Sequence, residues 1–135
     1  MDNITTLLGF DYGQKRIGVA MGQMITKTAS PLATINTKNN KPDWVQIEKL
    51  IKEWQPQALV VGIPSHADDT ASHSTRAAQR FSRQLKERFR LPVYTIDERL
   101  SSHAAESEGA YRSGAHGLDA VSAHVILESW LTQCP

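Results

Sequence analysis

The sequence predicts an α/β protein built on a mixed sheet of about five strands, the first three antiparallel and the rest joined by βα crossovers, with helices on both faces. Three observations predict it. Three β-rich runs precede the first helical pattern, a continuous apolar run sits in mid-chain, and strand and helix patterns alternate from there on.

Residues 5–11, TTLLGFD, are rich in β-formers and end in an Asp-Tyr-Gly turn signal, and RIGVAMGQM then alternates as a returning strand. This hairpin carries Asp11 at its lip. SPLATINT, residues 30–37, reads as a third short strand, and the NNKP that follows is a loop with helix-start chemistry. Trp44, Ile47, Leu50, Ile51 and Trp54 have helical spacing, with Pro42 near the first turn and Pro56 closing the segment.

ALVVGIP, residues 58–64, is uninterrupted apolar sequence ending in Gly and Pro, as expected of a central, parallel strand buried on both faces. The polar loop SHADDTASHS leads into a helix over residues 75–90, where Ala77, Ala78, Phe81, Leu85 and Phe89 form one face. LPVYTI gives a last strand that ends at Asp97 and Glu98, and two helical segments follow, over 102–112 and 118–132, separated by SGAHG. No internal repeat or linker interrupts this order.

At roughly 150 residues per domain, the 135 residues predict a single domain over 1–135. A chain of this size hides about two-thirds of its unfolded surface, enough for a core without disulfide or metal staples. With 40% hydrophobic and 21% charged residues the composition excludes a disordered or fibrous chain. The single cysteine, Cys134, excludes an intrachain disulfide and a cysteine metal cluster, and fits a reducing, cytoplasmic setting. The opening MDNITTLLGFDY has no basic region, and its apolar stretch stops at Asp11, so neither a signal peptide nor a membrane span is expected.

The net charge of +1 neither demands nor forbids a polyanionic partner, but its distribution is uneven. Arg76, Arg80, Arg83, Lys86, Arg88 and Arg90 face a lone Glu87, a local charge of +5. Such a helix suits tracking of a phosphate backbone, or is simply a solvated face. No aromatic platform of the kind that reads single-stranded bases is evident.

Three acids fall at ends of elements: Asp11 after the first strand, Glu98 after the last strand, and Asp119 at the start of the last helix. Converging carboxylates hold Mg²⁺ or Mn²⁺, and two such ions about 4 Å apart activate water against a phosphodiester. Read singly, Asp11 also suits a turn, Glu98 an ion pair with Arg99, and Asp119 the positive end of a helix dipole.

Four blocks in this order, LLGFDYGQKRIGVAMG, LVVGIP, TIDERLSS and GLDAVSAHVILESWL, resemble the family of pre-16S rRNA nucleases, also described as Holliday-junction resolvase-like proteins. The match spans nearly the whole chain. It implies a ribonuclease H-like fold in which the first strand is central. It also implies that Asp11, Glu98 and Asp119 meet around two divalent ions, Mg²⁺ or Mn²⁺, with Asp11 between them and a water activated to attack phosphorus. Asp97, a neighbour that supports the site or merely a strand-end acid, stays outside this set. On the substrate side, Gly13 and Gly18 suit a tight turn beside a phosphate, which needs a residue without Cβ; Lys15 and Arg16 suit contact with the scissile strand or are simply solvated hairpin charges, and Arg99 and Ser101 are further candidate phosphate contacts. Ser101 and Ser102 also suit capping of the next helix.

The sequence departs from the family where relatives carry a loop like LNMDGT, since here it reads SHADDT, with His66 and Asp69 as replacements. His116-Gly117 likewise replaces a Lys-Gly pair before the last acid. His73, His103, His116 and His124 have no ligand spacing. The implied activity is metal-dependent hydrolysis of phosphodiester bonds in 5′-end processing of pre-16S rRNA, with ribosomal RNA precursor and ribosomal particles as partners. A DNA-junction resolvase would use the same acids and a homodimer. Asp11 to Gly18 also fits D-x-G-x-x-x-x-G, the phosphate loop of actin-like and sugar-kinase-like ATPases, although one domain is too short for their two lobes. A non-catalytic nucleic-acid-binding or ribosome-binding module is the reading from another class.

Overall fold

The computed structural model describes residues 5–13, 16–37, 41–63, 73–97 and 117–133, with side chains from residue 75 in the fourth segment and from residue 121 in the fifth. The elements are β1 (Thr6–Tyr12), β2 (Arg16–Gln23), β3 (Thr28–Asn36), α1 (Trp44–Trp54), β4 (Ala58–Ile63), α2 (His73–Phe89), β5 (Val93–Asp97) and α3 (Gly117–Gln133). The strands form one sheet in the order β3-β2-β1-β4-β5. β2 pairs antiparallel with β1 and β3, whereas β4 pairs parallel with β1 and β5. The expected antiparallel start and the parallel, interior β4 are both present. The segment expected as a helix over 102–112 and the SHADDT loop lie outside the described residues.

Strand ends differ from the sequence reading by a residue or two, for local reasons. The β1–β2 ladder runs on through Asp11–Gly18 and Tyr12–Ile17, so Asp11 is the penultimate residue of β1 and not the residue after it. β3 begins at Thr28, where the Thr26 and Thr28 hydroxyls share a 2.7 Å hydrogen bond across the turn. Its register against β2 shifts between Val19 and Ala20, which pair with Ala33 and Pro31 and leave Leu32 as the extra residue of a bulge. Pro31 is tolerated because β3 is an edge strand.

Alternation along the strands makes two cores. On one side Leu8, Phe10, Ile17, Val19, Leu59 and Val61 pack against α1 and α2 through Ile47, Phe81 and Leu85. On the other, Leu7, Ala20, Ala58, Val60 and Ile96 pack against α3 through Ala123, Ile126, Leu127 and Leu131. Asp43 caps α1 by accepting a hydrogen bond from the Gln46 amide, and Gln55 closes it with a left-handed φ of 48°. Arg90, at φ 56°, ends α2 in the same way, donating its amide to the Lys86 carbonyl at 2.9 Å. Gln57 pins the start of β1, since its side-chain oxygen accepts from the Thr5 and Thr6 amides at 3.1 and 2.8 Å. Among the described residues no helix is long and apolar enough to cross a membrane.

The α3 side of the sheet is floored by small residues, and α3 lies close upon it. A Cβ on Gly9 would stand 2.8 Å from Leu127 Cβ, and one on Gly22 would stand 2.8 Å from Leu127 Cδ2 and 3.1 Å from Leu131 Cδ1. The first obstacle is rigidly attached to the helix backbone, whereas the second is the end of a side chain that can rotate. Gly9→Ala is therefore expected to lower stability by about 1–3 kcal/mol and Gly22→Ala by clearly less. Urea unfolding of the two variants checks this ordering.

Candidate functional site

The carboxyl end of β1, the middle strand, sends two consecutive side chains to opposite sides of the sheet. Asp11 shares the α3 side with Leu7 and Gly9, and Tyr12 shares the α1/α2 side with Leu8 and Phe10. Asp11 is half-buried, and its lateral neighbours are both glycines, Gly18 on β2 and Gly62 on β4. No side chain from either adjoining strand shares its row. Its backbone is held in a rigid ladder on both flanks, at the carboxyl end of the middle strand.

The run of α3 brings its start to this end of the sheet. Leu127 lies on Gly9, while Leu131 reaches Gly22, which pairs with Leu7, so α3 runs antiparallel to β1. Four helical residues rise about 6 Å and two strand residues about 7 Å, so the step from Leu127 back to Ala123 matches the step from Gly9 to Asp11. Asp119 stands one turn earlier, in the first turn of α3, with its side chain outside the described part. Glu98 lies outside the described residues.

Asp97 ends β5 beside Ile63. It has the parity of Val93, which packs on the α1/α2 side, whereas Tyr94 and Ile96 pack on the α3 side. Alternation therefore directs Asp97 away from the side that carries Asp11. Among the described residues no three His, Cys, Asp or Glu side chains form a metal cluster. Of the three expected ligands, only Asp11 has a described side chain. As a hard oxygen donor without a competing thiol or imidazole in its row, it suits a hard divalent cation such as Mg²⁺ or Mn²⁺.

Around the hairpin turn, a Cβ on Gly13 would stand 2.6 Å from the backbone oxygen of Arg16, which accounts for glycine there. Arg16 is exposed at the start of β2 and has the parity of Gly18, hence the same side of the sheet as Asp11. Lys15, Arg99 and Ser101 lie outside the described residues. Gly62 was not singled out by the sequence; only the parallel register of β1 and β4 shows it beside Asp11.

Tyr12 joins an aromatic cluster centred on buried Phe81. Ring centroids lie 5.0 Å away for Tyr12, 5.6 Å for Phe10 and 5.6 Å for Trp44. Each such pair contributes about 0.5–1.5 kcal/mol beyond area burial, so the cluster ties β1, α1 and α2 together beneath the site.

Comparison with known proteins gives one consistent result. Residues 5–133 match the family model described as "RuvX: Holliday junction resolvase". A protein of Pseudomonas putida named "Putative pre-16S rRNA nuclease" is 47% identical over 97% of each chain. One of the same name from Legionella pneumophila is 51% identical over 93% of this chain and 94% of its own. Among solved structures, Thermus thermophilus RuvC in complex with a Holliday junction substrate superposes with a TM-score of 0.65 at 12% identity, covering 93% of this chain and 91% of that one. The fowlpox virus Holliday junction resolvase superposes with a TM-score of 0.58 at 11% identity, over 96% and 100%. The fold is thus the ribonuclease H-like fold of those resolvases.

Because the obstacle at Gly13 is backbone, Gly13→Ala is expected to force the β1–β2 turn open and to cost about 1–3 kcal/mol in denaturant unfolding.

Proposed function

The chain belongs to the RuvX family of Holliday junction resolvases, and from that premise we propose that it is a divalent-metal-dependent nuclease that hydrolyses phosphodiester bonds at the 5′ end of the 16S ribosomal RNA precursor. The observation that carries this reading is Asp11, fixed near the carboxyl end of the middle strand between two glycines. Ladder hydrogen bonds on both flanks hold its backbone, so the carboxylate is aimed before any substrate arrives.

Asp11, Glu98 and Asp119 would hold the ions, two Mg²⁺ or Mn²⁺. Glu98 is the residue after β5, and Asp119 is four residues before Ala123, which is buried against the sheet. When bound, divalent metal supplies Lewis acidity to the phosphate oxygens and to the attacking water. The chain's own groups do the rest. Gly13 keeps the turn narrow where the strand passes, Lys15, Arg16 and Arg99 offset the charge of neighbouring phosphates, and the Ser101 hydroxyl donates to a phosphate oxygen. Action on ribosomal precursor places the protein in the cytoplasm with ribosomal particles. A second reading, cleavage of a four-way DNA junction by paired copies, is favoured by the fold shared with junction-bound RuvC.

The test is cleavage of a precursor 5′-end RNA and a four-way DNA junction, each with Mn²⁺, Mg²⁺ or EDTA. The expected result is metal-dependent cutting of the RNA, lowered at least about 100-fold in Asp11→Asn while the unfolding midpoint stays unchanged. Cutting of the junction alone supports the second reading. If neither is cut and the wild type and variant bind both equally, the protein is a binding module.

A further inference from the structure

The five cations of α2 are not equivalent. Arg80, Gln84 and Arg88 recur at four-residue spacing and line one wall of a cavity of about 400 Å³ that opens between α2 and the start of α1. Tyr12 and Trp44 also line it, together with Lys41, which precedes α1. The Arg88 guanidinium carbon stands 4.3 Å from the centre of the Trp44 ring. Both aromatic rings are half-buried and braced from below by Phe81. Among the described residues that line it there is no carboxylate. Arg83 and Lys86, equally exposed on the same helix, do not line the cavity.

This combination has a definite chemistry. Three cations, with no acid among the described lining residues, favour an anion, two aromatic rings and a guanidinium plane offer stacking surfaces, and Gln84 brings an amide that both donates and accepts. The volume is at the small end of the roughly 300–1,000 Å³ typical of ligand pockets, which suits one nucleotide and excludes a duplex. The cavity also adjoins the proposed nuclease centre. Tyr12 follows Asp11 directly in β1, on the opposite side of the sheet, so a strand crossing the carboxyl end of β1 passes from one to the other.

We propose that this cavity holds one unpaired nucleotide of the substrate strand, its base against Tyr12, Trp44 and Arg88 and its phosphate met by Lys41 and Arg80. The path of the strand rests on the nuclease reading of Asp11, but occupancy of the cavity needs no metal and no cleavage. Sequence-independent stacking of this kind calls for no base-specific motif, and Tyr12 and Trp44 are brought together only by the fold.

The experiment measures binding in EDTA of a short single-stranded RNA, a blunt RNA duplex and adenosine 5′-monophosphate, through tryptophan fluorescence. Single-stranded RNA is expected to quench the fluorescence of the wild type, and Trp44→Phe to abolish that quenching. Arg80→Glu and Lys41→Glu should each weaken binding about tenfold or more, against about threefold or less for Arg83→Glu, which removes the same charge from the same helix. Equal losses for Arg80→Glu and Arg83→Glu would reduce the effect to general attraction and overturn the pocket. Equal affinity for blunt duplex overturns the unpaired nucleotide, and displacement of RNA by submillimolar adenosine 5′-monophosphate overturns the strand in favour of a free nucleotide. If the wild type cuts nothing yet shows the expected pattern of binding losses, the nuclease reading falls and the pocket stands.

Discussion

The contact of Leu127 with Gly9 is the constraint on which the arrangement depends. A helix with ordinary side chains lies about 10 Å from a sheet; here glycine at positions 9 and 22 and alanine at 20 let α3 settle lower. Once Leu127 is seated on Gly9, the direction and level of α3 follow, and its first turn is carried to the carboxyl end of β1. In the proposed centre, the separation between the end of β1 and the start of α3 would thereby be set by a contact near the centre of the sheet.

Much of this could be read in the sequence, and the unread part has a common cause. The β-rich opening, the apolar ALVVGIP run and the amphipathic segments around Ile47 and Phe81 disclosed the elements, because burial imposes its period on local sequence. Asp11 could be singled out because it interrupts an apolar strand at a turn. Gly62 could not, because its importance lies in standing beside Asp11 across a parallel register, 51 positions away in the chain. Tyr12 and Trp44 likewise gave no joint signal. They meet on Phe81 from β1, α1 and α2, a relation fixed by tertiary packing alone.

The end of β1 shows how the pleat divides labour. Successive residues face opposite sides, so Asp11 and Tyr12 are covalent neighbours in unlike surroundings: one in a row of glycines under α3, the other in an aromatic cluster beneath a basic helix. A shift of register by one residue would exchange them. The antiparallel ladder with β2, the parallel ladder with β4 and the Gln57 clamp at the strand's start all oppose such a shift.

Pro31 has a bearing on how copies of the chain meet. At the free edge of β3 it withholds one amide from any incoming strand, and the neighbouring bulge at Leu32 bends that edge out of line. Continuous sheet extension between two molecules is therefore disfavoured along this margin. High concentration of the folded protein would therefore not by itself template fibrous stacking from β3.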